Sequence, residues 1–192
     1  MGLYRFIRDI LIIFVKLFYR VERIGTSNIP KEGSYVFCAN HISALDPIFI
    51  ATVRERDFYF LSKEELFKVP VIGGLFKKLN MIPIKRGAGD LGAMRKSIEV
   101  LKEKKALVMF PEGTRSKTGE LQEAKDGVSL IVRKSGCNVV PCAVIGKVKL
   151  FKKIKVVYGN PLDMSEYMEL KDNKVITNVI MEEIKKLIET NK

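Results

Sequence analysis

The sequence predicts a single α/β domain, with a mixed, largely buried sheet of about seven strands flanked by helices and preceded by an N-terminal amphipathic helix. Three observations predict it. The 192 residues suit one domain and suffice to bury well over half of the unfolded surface. From Val21 onward, short β-like runs alternate with helical stretches, the order that builds an α/β sheet. The strand-like runs are rich in Val and Ile along their length, as expected of strands covered on both faces.

Taken in order, residues 3–20 (LYRFIRDILIIFVKLFYR) form the first helix. At ~100° per residue, Arg5, Asp9, Lys16 and Arg20 fall within roughly a 60° arc and the rest of the surface is nearly all apolar. The longest uncharged stretch, Ile10 to Val15, is far short of the ~20 residues a spanning helix needs, and no small-residue cleavage site follows. Two arrangements remain, a helix packed on the domain and a helix lying in a membrane interface. A wide face of Ile, Leu and Phe edged with Lys and Arg fits the interface. Residues 1–20 are therefore assigned as a membrane-associating helix and residues 21–192 as the α/β domain.

The expected strands are Val21–Ile24, Ser34–Ala39, Phe58–Leu61, Met81–Ile84, Ala106–Phe110, Val139–Val144 and Ile154–Tyr158. A helix follows the turn Gly87-Ala88-Gly89, with Asp90 as its N-cap and Leu91, Met94, Ile98 and Leu101 on one face. The last helix, about Asn173 to Thr190, carries Val175, Ile176, Val179, Ile180, Ile184, Leu187 and Ile188 as an apolar stripe. Both stripes read as core.

A formal charge of +12 attracts anions: an acidic membrane surface, phosphorylated substrates or nucleic acid. Nucleic acid is set aside, since no zinc-finger, RRM-type or long arginine-rich signature is present and Trp is absent. Cys38, Cys137 and Cys142 are odd in number, lack C-x-x-C spacing and lie in apolar runs, so they read as buried thiols in a reducing compartment. With one histidine in the chain, a zinc site has too few ligands.

That histidine, His41, stands in Asn40-His41-Ile42-Ser43-Ala44-Leu45-Asp46-Pro47. Histidine is the usual side chain for proton transfer near neutrality. On one continuous helix, His41 and Asp46 would lie ~140° apart. They are instead expected at a strand-to-helix junction, where His41 leaves the strand Tyr35–Ala39 and a helix starting near Ser43–Asp46 folds the carboxylate back. Pro47, tolerated in a helix's first turn, marks that boundary. A carboxylate accepting one imidazole N–H leaves the other nitrogen as a general base. Ser43 and Cys38 are nearby alternative nucleophiles, but neither lies in a G-x-S-x-G elbow. The nucleophile is then a hydroxyl of the substrate.

A second segment, Phe110-Pro111-Glu112-Gly113-Thr114-Arg115-Ser116, follows a strand directly. Such loops carry ligand contacts in α/β domains. Gly113 permits close backbone approach, Thr114 offers a hydroxyl and an N–H, and Arg115 offers a fork suited to phosphate. A plain turn held by a Glu112 to Arg115 ion pair is the alternative.

The two segments together, N-H-x-x-x-x-D and F-P-E-G-T-R, resemble the glycerophospholipid acyltransferases, most closely the bacterial 1-acylglycerol-3-phosphate acyltransferases of the PlsC type. Ile82-Pro83-Ile84-Lys85-Arg86 resembles the family's second block, Val139 to Val144 its fourth, and Ala124-Lys125-Asp126-Gly127 the lysine-glycine segment between the third and fourth. Asn80 stands where glycine is frequent, and Cys142 where valine is common. Asn80 tolerates a left-handed backbone better than most residues, so the turn can survive.

The resemblance implies that His41 deprotonates the free hydroxyl of a lysophospholipid, that Asp46 orients it, and that the alkoxide attacks an acyl thioester. It implies acceptor binding by Glu112, Gly113, Thr114 and Arg115, with Arg86 as a second phosphate contact. Acyl-CoA or acyl-acyl carrier protein is the co-substrate, with no metal and no other cofactor. The expected location is the cytoplasmic face of the cell membrane, peripheral or monotopic. Backbone N–H groups near Val140–Cys142 or in the loop after His41 are candidates for holding the oxyanion. Three alternatives stand beside this reading: glycerol 3-phosphate or another lysolipid as acceptor, a hydrolase or thioesterase in which His41 activates water, and a non-catalytic lipid-binding protein.

Overall fold

In the computed structural model, residues 2–85, 89–170 and 172–192 are described. Helix α1 (Leu3–Phe18) leads into β1 (Arg20–Ile24) and β2 (Tyr35–Ala39). Then come α2 (Asp46–Ala51), β3 (Phe58–Lys63), α3 (Ile72–Lys78), β4 (Met81–Ile84), α4 (Leu91–Lys102) and β5 (Ala106–Met109). The chain closes with α5 (Gly127–Ser135), β6 (Asn138–Ile145), β7 (Lys153–Tyr158) and α6 (Asn173–Thr190). All seven expected strands are present.

They form one sheet in the order β1-β7-β6-β2-β5-β3-β4. Strand β2 is central, parallel to β5 on one side and to β6 on the other, with Val36 opposite both Leu107 and Val139. Strand β7 runs antiparallel to β6, and β1 runs parallel to β7. The sheet is therefore mixed. Consecutive residues of β2 face opposite layers. Phe37 and Ala39 pack with Val15 of α1 and Phe49 and Ile50 of α2. Val36 and Cys38 pack with Val100 and Leu101 of α4, Ile131 and Val132 of α5, and Ile176, Ile180 and Ile184 of α6. Both faces of β5 are buried along its length, which is why it reads as an unbroken apolar run. Full burial of a Leu, Ile or Phe side chain contributes about 1.5–3 kcal/mol.

Two element assignments shift. Helix α1 ends at Phe18, Tyr19 is extended, and Arg20 opens β1 instead of closing the helix. In α4 the N-cap is Asp90, whose carboxylate accepts from Ala93 N–H at 3.0 Å, a bond that stabilises a helix by about 1 kcal/mol. Its buried face, however, is Ala93, Ser97, Val100 and Leu101, while Leu91 is 64% exposed. The small residues Ala93 and Ser97 take the inner face. The Ser97 hydroxyl donates to Ala93 O at 2.8 Å, so its burial leaves no lost hydrogen bond. Asn80 adopts φ 56°, the left-handed turn expected there.

Helix α1 is both packed and exposed. Arg8, which the sequence arc left out, is buried and pairs with Asp57 at 2.8 Å; Arg5 reaches the same carboxylate at 2.9 Å. The Tyr4 hydroxyl accepts from Phe58 N–H at 3.0 Å. Leu3, Phe6, Ile10, Ile13, Phe14, Leu17 and Phe18 face outward. Among the described residues no helix is long and apolar enough to cross a membrane.

Candidate active site

Strand β2 ends at Ala39 and α2 begins at Asp46 with Pro47 in its first turn, so a short loop carries His41 out of the sheet. Three N–H groups converge on one carboxylate oxygen in that loop. His41 Nδ1 lies 2.9 Å from Asp46 Oδ2, and the same oxygen accepts from the Ile42 and Ser43 backbone N–H groups, each at 2.7 Å. Asp46 is fully buried, and an anion there requires such donors. A carboxylate only accepts, so the proton sits on Nδ1, and Nε2 is left to take one.

The second segment closes over the same ring. Phe110 stacks on His41 with ring centroids 4.0 Å apart and planes 20° from parallel. Ser116 N–H donates to His41 O at 2.7 Å. Glu112 is buried; one carboxylate oxygen accepts from His41 N–H at 2.7 Å and the other from Gln122 N–H at 3.1 Å. Burial raises the Glu112 carboxyl above its ordinary value, partly offset by those two donors. Oε1 thus joins the two segments while Oε2 ties the loop to Gln122, and among the described residues no Glu112 to Arg115 ion pair forms.

Gly113 has φ 70°, and a Cβ there would lie 3.1 Å from Lys125 Cδ. The left-handed backbone favours glycine there, whereas the lysine side chain can give way. Lys125 N–H donates to Pro111 O at 2.9 Å, so the lysine-glycine segment meets the loop next to Gly113, a placement its position in the sequence did not indicate. Thr114 and Arg115 are exposed on the loop. Arg86 lies outside the described residues.

Of the backbone groups suggested for an oxyanion, the Ile42 and Ser43 N–H groups are committed to Asp46, and Val140 and Cys142 are buried within β6. The Ser43 hydroxyl accepts from Leu45 N–H at 3.2 Å. The three cysteines are free and buried. Burial pushes the Cys38 and Cys142 thiols up, and Cys137 up to about 11, so none is a ready thiolate.

Asn40 acquires a role that the sequence reading did not give it. Its Nδ2 donates to Val144 O at 2.9 Å while its Oδ1 accepts from Val144 N–H at 2.8 Å. The side-chain amide thus continues the β2 to β6 ladder one step beyond Ala39, holding His41 at the strand end. Asn40→Ala would leave both Val144 groups unpaired and is expected to cost about 2–3 kcal/mol. Urea denaturation checks this; an unchanged midpoint would contradict it.

A histidine oriented at the end of a buried parallel strand and clamped by the Glu112 segment is an arrangement able to take a proton from a hydroxyl. The chain belongs to the Acyltransferase family, whose profile matches residues 20–145. It is 27% identical to the 1-acyl-sn-glycerol-3-phosphate acyltransferase of Bacillus subtilis over 194 residues, covering 96% of each chain. It is 33% identical to the chloroplastic 1-acyl-sn-glycerol-3-phosphate acyltransferase LPAT1 of Arabidopsis thaliana over 136 residues, 69% of this chain but only 38% of that relative. The crystal structure of the 1-acyl-sn-glycerophosphate (LPA) acyltransferase PlsC from Thermotoga maritima is similar with a TM-score of 0.74 and 27% identity, covering 96% of this chain and 80% of that one.

Proposed function

We propose that the protein transfers an acyl group from acyl-CoA or acyl-acyl carrier protein to the sn-2 hydroxyl of 1-acylglycerol 3-phosphate, giving phosphatidic acid. The observation that carries this is the 2.9 Å contact of His41 Nδ1 with Asp46 Oδ2, in a chain of this family. Nε2 takes the hydroxyl proton as the oxygen attacks the thioester carbonyl. The carbon–sulfur bond then breaks and the departing thiolate takes the proton from the imidazolium. A base so placed contributes ~10²–10⁴ in rate, and holding both substrates supplies much of the remainder.

Gly113, Thr114 and Arg115, with Lys125 beside Gly113, bind the acceptor phosphate in this reading, and Arg86 is proposed as a second phosphate contact. Glu112 enters as the clamp that holds the loop against His41. The exposed apolar face of α1 lies on an anionic membrane surface, where each nearby Lys or Arg adds ~1 kcal/mol. The protein is peripheral on the cytoplasmic face, for which three free buried thiols are suited.

The experiment is an acceptor panel: lysophosphatidic acid, glycerol 3-phosphate and lysophosphatidylcholine, each with both donors. Lysophosphatidic acid is expected to give the highest kcat/KM, and a preference for either other acceptor would overturn the assignment. Arg115→Ala is expected to raise the acceptor KM roughly ten- to a hundredfold, the worth of one charge-assisted phosphate contact. An effect confined to the thioester KM would contradict its role.

A further inference from the structure

We infer that the loop between β6 and β7 is a second membrane-inserting element, which wedges Leu150 and Phe151 into an anionic leaflet beside the end of α1. The inference rests on the membrane reading of α1 above. Leu150 is 54% exposed and Phe151 63%. Single exposed apolar residues are ordinary, but a doublet adjoining a larger apolar face marks an interaction surface.

The doublet adjoins such a face. Phe151 N–H donates to Phe18 O at 2.9 Å, and Arg20 N–H donates to Lys152 O at 3.4 Å. The tip is thus tied to the last turn of α1, where Leu17 and Phe18 point outward. Phe151 has φ 60°, a left-handed backbone that disfavours a bulky residue and that such a tether holds in place. Lys147, Lys149, Lys152 and Lys153 surround the tip and are exposed. Lys153 pairs with Glu22 at 2.7 Å, which leaves the other three to face acidic headgroups.

Topology puts this surface beside the chemistry. Strand β6 runs parallel to β2, so the loop leaves the sheet at the same edge as His41. Strands β7 and β1 run the opposite way, and Arg20 pairs with Lys153 at their starts. The end of α1, the loop tip and His41 therefore share one edge of the sheet. A leaflet touching the first two lies at the edge where a lysolipid hydroxyl would meet the base.

The chain has no tryptophan, so a single introduced one reports without background. Phe151→Trp, Leu17→Trp and, as a control on the opposite layer and at the other end of the sheet, Lys134→Trp in the exposed last turn of α5 are titrated with vesicles of equal parts phosphatidylglycerol and phosphatidylcholine. Phe151→Trp is expected to blue-shift and become protected from acrylamide, with Lys134→Trp unmoved and pure phosphatidylcholine giving a smaller shift. A shift at Leu17→Trp without one at Phe151→Trp would overturn this inference and spare the α1 reading. The reverse would sink the α1 reading and, with it, the shared surface argued here. Equal shifts at all three positions would mean adsorption without a defined face, and a shift that follows protein concentration without lipid would mean self-association; either overturns the inference. Leu150→Ser with Phe151→Ser is expected to weaken vesicle partition at least roughly tenfold, and unchanged partition would contradict insertion.

Discussion

His41→Ala is expected to lower kcat with lysophosphatidic acid at least a hundredfold while the protein remains folded. The size follows from the part assigned to the ring. Without Nε2, the hydroxyl must attack with its proton in place or lose it to water. Loss of a positioned base costs ~10²–10⁴ in rate, or about 2.7 kcal/mol of barrier for each hundredfold. The fold should survive because His41 holds its neighbours mainly through the main chain. Its N–H donates to Glu112 and its carbonyl accepts from Ser116, and alanine keeps both. Acceptor and donor KM values should change little. Turnover within tenfold of wild type, with unchanged circular dichroism, would remove His41 as the base.

At Asp46 the geometry separates two effects. His41 Nδ1 and the Ile42 and Ser43 N–H groups all reach the single oxygen Oδ2. In Asp46→Asn, an amide oxygen at that position keeps all three donors and the Nδ1 tautomer, so only the charge facing the imidazolium is lost. Exchanging a charge-assisted hydrogen bond for a neutral one costs about 1–2 kcal/mol, or roughly tenfold in kcat. Asp46→Ala removes the oxygen as well, frees the ring and leaves two N–H groups unpaired. It is expected to cost at least a hundredfold in kcat, with a lower urea midpoint. The test is the ratio of the two losses. Equal losses would mean that the asparagine presents its amide nitrogen to the ring and reverses the tautomer, contrary to the single-oxygen arrangement.

The strands were legible because their signal is local: β5 is buried on both faces and is apolar at each position, and β6 is nearly so. The junction at His41 was legible because a five-residue offset does not fit one helix face and Pro47 marks the helix start. The depth of α4 was not, since Ala93 and Ser97 lie innermost and small residues carry no hydrophobic signal. The helix end at Phe18 was hidden because Tyr19 and Arg20 continue the composition of α1, while the choice of strand comes from pairing with β7, far along the chain. Arg8 was missed on similar grounds. Its partner Asp57 lies 49 residues away, and nothing in the helix period announces it. Asn40 and Glu112 escaped a structural role because both bond main-chain groups brought close by the sheet. Nothing in the sequence pairs the Glu112 carboxylate with His41 N–H, which the fold brings within 2.7 Å.

The central claim is that His41 acts only as a base, so that the acyl group passes directly from the thioester to a lipid hydroxyl. The fate of a labelled acyl chain tests it most directly. Wild-type protein is given isotopically labelled acyl thioester with lysophosphatidic acid in anionic vesicles, and lipids and protein are analysed by mass spectrometry. The account predicts label in phosphatidic acid alone, with the polypeptide mass unchanged throughout turnover. Label released as free fatty acid without acylated lipid, or label carried on the protein during turnover, would contradict it.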